Sequence, residues 1–404
     1  MSGPGYAMFG ADEERNLLDA LRTGTLTRYR FGMPGAESYV YRFERAAREH
    51  FGSPHCLALN SGTSALLTAL VANGIGPGDE VIVPGYMFIA SIAAVLYAGA
   101  VPVLAEIDES LTLDPADFER KITSRTRAVM PVHMLGGAAD MPMLTALAQE
   151  HSILVIEDVA QACGGSCNGV PLGTWGAAGA FSLNYFKVIT AGEGGFCLLA
   201  DDAAYERGYS FHDHGFKPLR DGAVDADAVF GLNLRMPDLS GALALAQLAR
   251  LPEILERTQA VRTRLAAAIG EHEAMTPRTS VDPSGDCATT LCYTFHESAM
   301  AERMAKSLGT MPLVRSGKHY YGNMPQLQHM GSATLGSAHQ GDPMPSYGVG
   351  DLPRTDDILA RTLALSTGAS DWYAGTGFGV GVNSTDHDIE LCAQTFREVL
   401  ASNS

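Results

Sequence analysis

Residues 80–107 read EVIVPGYMFIASIAAVLYAGAVPVLAEI, and the fold is decided here. Glu80–Pro84 and Val101–Ile107 are short β-branched or apolar runs, and Ile89–Tyr97 between them is small and apolar throughout. Two strand-like runs around a helix with no polar face describe a buried crossover, and such a crossover joins parallel neighbours with right-handed sense. The alternation extends in both directions, from about Leu57 to Asp201. Ala128–His133, Ile153–Glu157, Gly179–Ser182 and Gly195–Leu199 are further strand candidates. Asp114-Pro115 followed by Asp117 reads as a helix start, with an N-cap acid, proline at the first position and an acid in the first turn. Met141–His151 is a short amphipathic helix. The expected fold class is α/β with a mostly parallel sheet.

Past Leu251 the pattern changes. Pro252–His272 predicts a long helix, Cys292–His296 a strand, and Asp386–Ser402 a terminal helix, while Leu335–Asp351, rich in Gly, Pro and Ser, predicts a loop. The expected organisation is a large α/β domain over residues 26–254 and a smaller α+β domain over 255–404, joined by residues 1–25.

Composition narrows the function classes. The chain has 404 residues, 46% hydrophobic and 18% charged, as ordinary globular proteins do. A net charge of −17 argues against nucleic acid or an anionic membrane surface as partner. The seven Cys are dispersed with no CxxC pair and no companion metal ligands, so reduced thiols, a cytoplasmic location and no metal are expected. No basic leader precedes an apolar run, and no apolar segment reaches the ~18 residues of a membrane span.

The chemistry-bearing residues lie between Val155 and Gly195. Ile156 is followed by Glu157-Asp158, then Val159-Ala160-Gln161. An acid at the carboxyl end of a parallel strand stands where such sheets bind ligands, although Asp158 also suits a helix N-cap. Lys187 sits in Phe181-Ser182-Leu-Asn-Tyr-Phe-Lys187-Val-Ile-Thr190-Ala-Gly-Glu-Gly-Gly195, between aromatics and a glycine-rich turn. An apolar surround depresses a lysine pKa and yields an amine nucleophile. Asn60-Ser61-Gly62-Thr63-Ser64-Ala65 opens the helical run Leu66–Asn73, and small hydroxyl residues at a helix N-terminus suit either a phosphate or an ordinary cap.

Together these stretches, with Gly78-Asp-Glu-Val-Ile-Val-Pro84, Pro131-Val-His133 and Gly231-Leu-Asn-Leu-Arg-Met236, resemble the DegT/DnrJ/StrS family of pyridoxal-phosphate (PLP) sugar and aminocyclitol aminotransferases. The resemblance implies the fold-type-I, aspartate-aminotransferase-like architecture. It implies that Lys187 holds PLP as a Schiff base and carries the transferred proton, with pyridoxamine phosphate as the other cofactor form. It further implies Asp158 at the pyridine nitrogen, Gln161 at the ring hydroxyl, Phe88 stacked on the ring, and Gly62, Thr63 and Ser182 at the phosphate. Asn233 matches an asparagine that reaches the phosphate of a neighbouring subunit, which implies a homodimer with shared active sites. A dehydratase branch has histidine at the lysine position, so Lys187 points to amino transfer.

The expected reaction moves an amino group from L-glutamate or L-glutamine to a keto sugar, cyclitol or related ketone, as in antibiotic or cell-surface sugar biosynthesis. His133, Arg235, Arg315 and Tyr320 are the candidate substrate residues, the arginines because a guanidinium fork fits a donor carboxylate. His212 and His214 are further pocket candidates. The chain departs from the family at Leu363-Ala-Leu-Ser-Thr-Gly368, at the glycine-rich Asp371–Val382, and in part at Gly317–Met324. These departures keep a second reading open: PLP-dependent elimination, decarboxylation or carbon–carbon chemistry. A nicotinamide enzyme is disfavoured because no GxGxxG follows the first strand, and a PLP sensor because no DNA-binding module precedes the domain.

Overall fold

The computed structural model describes residues 2–24, 26–29, 37–215, 229–329 and 347–403. The main sheet has seven strands: β1 (His55–Leu59), β2 (Glu80–Pro84), β3 (Val101–Ala105), β4 (Thr126–Val129), β5 (Leu154–Asp158), β6 (Ala178–Ser182) and β7 (Gly195–Leu199). Their order is β1-β7-β6-β5-β4-β2-β3. Strands β3, β2, β4, β5 and β6 pair in parallel, whereas β7 runs antiparallel to both β6 and β1. All six expected runs contribute a strand to this sheet, although the expected Ala128–His133 is strand only to Val129 and Val101–Ile107 only to Ala105. The seventh, β1, carries His-Cys-Leu-Ala-Leu without a β-branched residue and gives little strand signal.

The Ile89–Tyr97 crossover is a helix packed on the helix Gly62–Ala72. Asp114 caps the helix Pro115–Lys121, accepting the Ala116 N–H at 2.9 Å. These elements put the carboxyl ends of β5 and β6 and the N-terminus of Gly62–Ala72 at one edge of the sheet.

A second, antiparallel sheet contains β8 (Met275–Pro277), β9 (Thr290–Phe295) and β10 (Thr362–Ser366). Phe295, Met304, Leu363 and Phe396 anchor its core under the helices Ser298–Leu308 and Asp386–Asn403. The long helix expected from Pro252 begins instead at Asp238 and runs to Ile269. Leu248, Leu251 and Ile254 pack into the large core, and Val261, Leu265 and Ile269 into the small one. Burial along the whole rod carries it through Pro252 despite the ~3 kcal/mol that an interior proline costs. The expected division at residues 254/255 therefore falls inside one continuous helix.

Residues 2–24 lie mainly against the large sheet side. Gln247 Nε2 donates to Glu13 Oε1 at 2.8 Å, and a side chain at Gly3 would stand 2.4 Å from the Phe186 carbonyl carbon. Of the expected loop Leu335–Asp351, residues 335–346 lie outside the described residues, and 347–351 form no helix or strand. Among the described residues no helix is long and apolar enough to cross a membrane, and all seven cysteines are buried and unpaired.

Candidate active site

Strand β5 ends in two carboxylates whose side chains take opposite faces, as successive strand residues must. Asp158 faces the carboxyl-edge cavity, where its Oδ2 accepts from Ser91 Oγ at 2.7 Å and its Oδ1 from Ala160 N at 3.0 Å. Glu157 is fully buried behind the sheet, accepting the backbone N–H groups of Gly173 at 2.7 Å, Trp175 at 2.8 Å and Gly176 at 3.1 Å.

Lys187 lies in the loop between β6 and β7, which closes on itself. Thr190 Oγ1 donates to the Leu183 carbonyl at 3.0 Å and accepts from Gly192 N at 2.9 Å, and Lys187 N donates to the Asn184 carbonyl at 3.0 Å. The Lys187 Nζ lies 5.9 Å from the centre of the Phe88 ring. Burial lowers the lysine pKa from its ordinary value, against the opposing pull of Asp158, Asp371 and Glu193. A larger share of the amine is then neutral and nucleophilic.

A cavity of about 400 Å³ brings Lys187, Asp158, Phe88, Gly62, Thr63 and Ser182 together. Ser61 caps the helix Gly62–Ala72 through Ser64 N at 3.1 Å, leaving the N–H groups of its first turn toward the cavity edge. Gly62 cannot be larger: a Cβ there would stand 2.7 Å from Ser182 Cβ. Gln161 lines a small adjoining chamber with Lys187, its Oε1 accepting from Leu135 N at 2.9 Å.

Other sequence candidates go elsewhere. His133 is fully buried, its Nε2 3.2 Å from Glu157 Oε2 and its Nδ1 accepting from Ala139 N at 3.1 Å, so it belongs to the framework. Tyr320 hydrogen-bonds Asp356 at 2.8 Å and lines neither cavity space around Lys187. Arg315 pairs with Glu302 at 2.9 Å in a separate surface cleft. Arg235 is held by Asp213 beside β1. His212 is buried against Arg28 at 2.9 Å, and His214 lies beside Asp213 at 3.3 Å. Asn233 is exposed on the segment that bridges to Asp213, outside its own chain's cavity.

The sequence reading missed Ser91, Lys318, His319, Asp371 and Tyr373. His319 lies beside the nominated Tyr320, and in an extended segment neighbouring side chains oppose each other. Its ring centre is 5.2 Å from that of Phe88. Burial, with Lys187 nearby, pushes the imidazole down to about 3, so it is neutral at physiological pH. Its Nδ1 is buried without a hydrogen-bond partner among the described residues.

A sheet of this order, with its working side chains gathered at the carboxyl edge, has the fold-type-I architecture of PLP-dependent transferases. The model of the DegT/DnrJ/EryC1/StrS aminotransferase family matches residues 10–369, and the chain belongs to that family. It is 42% identical over 224 residues to the GDP-perosamine synthase of Caulobacter vibrioides, an alignment covering 55% of this chain and 60% of the relative. It is 38% identical over 246 residues to the L-glutamine:2-deoxy-scyllo-inosose aminotransferase of Streptomyces fradiae, covering 59% of this chain and 58% of the relative. The chain thus spans about three-fifths of the length of these relatives. The crystal structure of 3-amino-5-hydroxybenzoic acid synthase superposes over 99% of both chains, with a TM-score of 0.80 at 26% identity.

The family implies PLP, and the residues present fit it. An amine suits the aldehyde, a carboxylate the protonated ring nitrogen, and an aromatic plate the ring. The helix N-terminus held open by Gly62 suits the phosphate.

Proposed function

We propose that this chain is a PLP-dependent aminotransferase that takes an amino group from L-glutamate or L-glutamine and delivers it to a keto sugar, cyclitol or related ketone. The observation that carries the reading is the single cavity shared by the Lys187 amine, the Asp158 carboxylate and the Phe88 ring. The relatives support the substrate class, one being named for L-glutamine and an inosose.

When bound, the cofactor supplies an electron-withdrawing ring that accepts charge from the substrate carbon. Asp158, oriented by Ser91 and Ala160 N, holds the proton on the pyridine nitrogen. With the cofactor bound, the Lys187 Nζ would be the nucleophile toward its aldehyde and, when free, the base for the substrate proton. Gly62 N, Thr63 N and Ser182 Oγ, at the cavity edge, would hold the phosphate. Gln161, its carbonyl fixed by Leu135, offers its amide N–H to the ring hydroxyl. Asn233 serves the phosphate of a second copy. Phe230 is fully exposed and Leu232 is 52% exposed beside it, as expected of a limb that a homodimer partner covers. A cofactor-binding part that takes in residues 2–24 and passes through the helix Asp238–Ile269 into a smaller part, and a cytoplasmic location, belong to the same proposal.

L-Glutamine or L-glutamate added alone to PLP-loaded protein should convert its absorbance to that of pyridoxamine phosphate. Release of ammonia with pyruvate, or of carbon dioxide, would assign the elimination or decarboxylation reading. Protein that never retains PLP would overturn the proposal. For the shared site, mixing Lys187→Ala with Asn233→Ala subunits should restore activity that each variant lacks alone, and no restoration would place Asn233 outside the partner's site.

A further inference from the structure

The residues assigned to the cofactor make one wall of the cavity. The cavity is also lined by Lys318, His319, Asp371 and Tyr373, from two segments distant in the chain. Asp371 starts the single turn Trp372–Ala374 by accepting Tyr373 N on Oδ1 at 2.9 Å, and Gly375, at φ +80°, ends it. That leaves Asp371 Oδ2 unpaired among the described residues, on a side chain that lines the cavity. Gly317 N donates to the Tyr373 carbonyl at 3.2 Å, and the Lys318 Nζ lies 5.9 Å from the Tyr373 ring centre. The Gly317–Tyr320 segment is in turn fixed to the chain around Phe88: Met87 N donates to the His319 carbonyl and Ile89 N to the Lys318 carbonyl, both at 2.9 Å.

The main chain of Tyr373 is thereby held from two sides, yet the residue is left 65% exposed while lining the cavity. Its aromatic ring stays outside the core and lines the same cavity as the Asp371 carboxylate and the Lys318 ammonium. It presents an apolar face for C–H groups and two charged partners for hydroxyls, which is the chemistry of a polyol ring.

We propose that Tyr373, with Asp371 and Lys318, is the recognition platform for the polyol ring of the ketone acceptor. One C–H face of the ring lies on Tyr373, and its hydroxyls donate to Asp371 and accept from Lys318. The amino donor has no such face and does not use the platform. This inference rests on the aminotransferase reading above.

The test uses PLP-loaded wild type, Tyr373→Ala, Tyr373→Phe and Asp371→Asn, the last of which keeps an oxygen to accept Tyr373 N. Conversion of bound PLP by L-glutamine reads the donor step. Single-turnover reaction of the pyridoxamine form with 2-deoxy-scyllo-inosose reads the acceptor step. Inert myo-inositol is titrated separately against Trp372 fluorescence in a Trp175→Phe background, since the chain has two tryptophans. Tyr373→Ala should raise the half-saturating ketone and inositol concentrations about tenfold, equivalent to about 1.4 kcal/mol, with the deficit confined to the acceptor step. Tyr373→Phe should stay near wild type, and Asp371→Asn should weaken both polyols severalfold. Unchanged acceptor saturation in Tyr373→Ala, or equal losses in both steps, would overturn the platform. Failure of the wild-type donor step would instead overturn the aminotransferase reading, while the inositol titration still reports on Tyr373.

Discussion

Glu157→Ala removes a buried carboxylate that accepts three backbone N–H groups and faces the imidazole of His133 at 3.2 Å. Each buried donor left without a partner costs ~1–3 kcal/mol. Trp175 and Gly176 are half-buried and can partly recover water, whereas Gly173 and His133 cannot. Breaking a buried, hydrogen-bonded charge network typically costs about 3–5 kcal/mol, a large part of the ~5–15 kcal/mol that holds a protein folded. Asp158→Ala, one residue on, loses the bonds from Ser91 Oγ and Ala160 N, worth about 1–2 kcal/mol together. Urea denaturation of the cofactor-free proteins, with PLP affinity from absorbance titration, separates the two. Glu157→Ala should lose about 3–5 kcal/mol of stability while the remaining folded protein still binds PLP. Asp158→Ala should remain folded and bind PLP poorly. If Glu157→Ala proves the milder variant for stability, or the more damaging for PLP binding, the assignment of the two carboxylates to framework and site is wrong.

Acid should destabilise the cofactor-free protein through His212 and His319, which burial pushes from the ordinary 6.5 to about 3. The unfolded chain takes up these protons below pH 6.5 and the folded chain does not, so stability is intact above that pH and falls toward pH 3. By pH 5 each imidazole should cost about 2 kcal/mol, and equal urea midpoints at pH 7.5 and 5 would refute this. Because burial lowers the Lys187 pKa, PLP should recombine with cofactor-free protein faster, at pH values below ordinary lysine titration, than with a solvated lysine analogue; stopped-flow absorbance against pH checks it. Gly62→Ala forces Ser182 aside and should weaken PLP about tenfold or more while sparing unphosphorylated pyridoxal, as paired titrations would show.

The main sheet was legible because its parallel strands are largely buried on both faces and read as apolar runs, as Glu80–Pro84 and Val101–Ala105 do. The edge strand β1 lacked that signal. The helix from Asp238 was read only from Pro252, because its first turns are small residues under the helix Tyr39–Phe51, with no polar face to set a period. Lys187, Asp158 and Gly62 were readable because they sit in continuous motifs. His319, Asp371 and Tyr373 were not, because their juxtaposition depends on two distant segments meeting. His133 misled for a related reason: it precedes a turn near the carboxyl edge, but its ring takes the Glu157 side of the sheet.

The hydrogen bonds that fix Lys318 and His319 to Met87 and Ile89 also limit how the protein can be re-engineered. Phe88 lies between those two anchors, so grafting a relative's 317–321 loop alone would disturb the plate proposed to lie under the cofactor. New acceptor specificity would come more readily from side-chain exchange on a retained backbone, or from transplanting residues 85–89 together with the loop. The two stretches form one inheritable cassette although more than two hundred residues separate them in the chain.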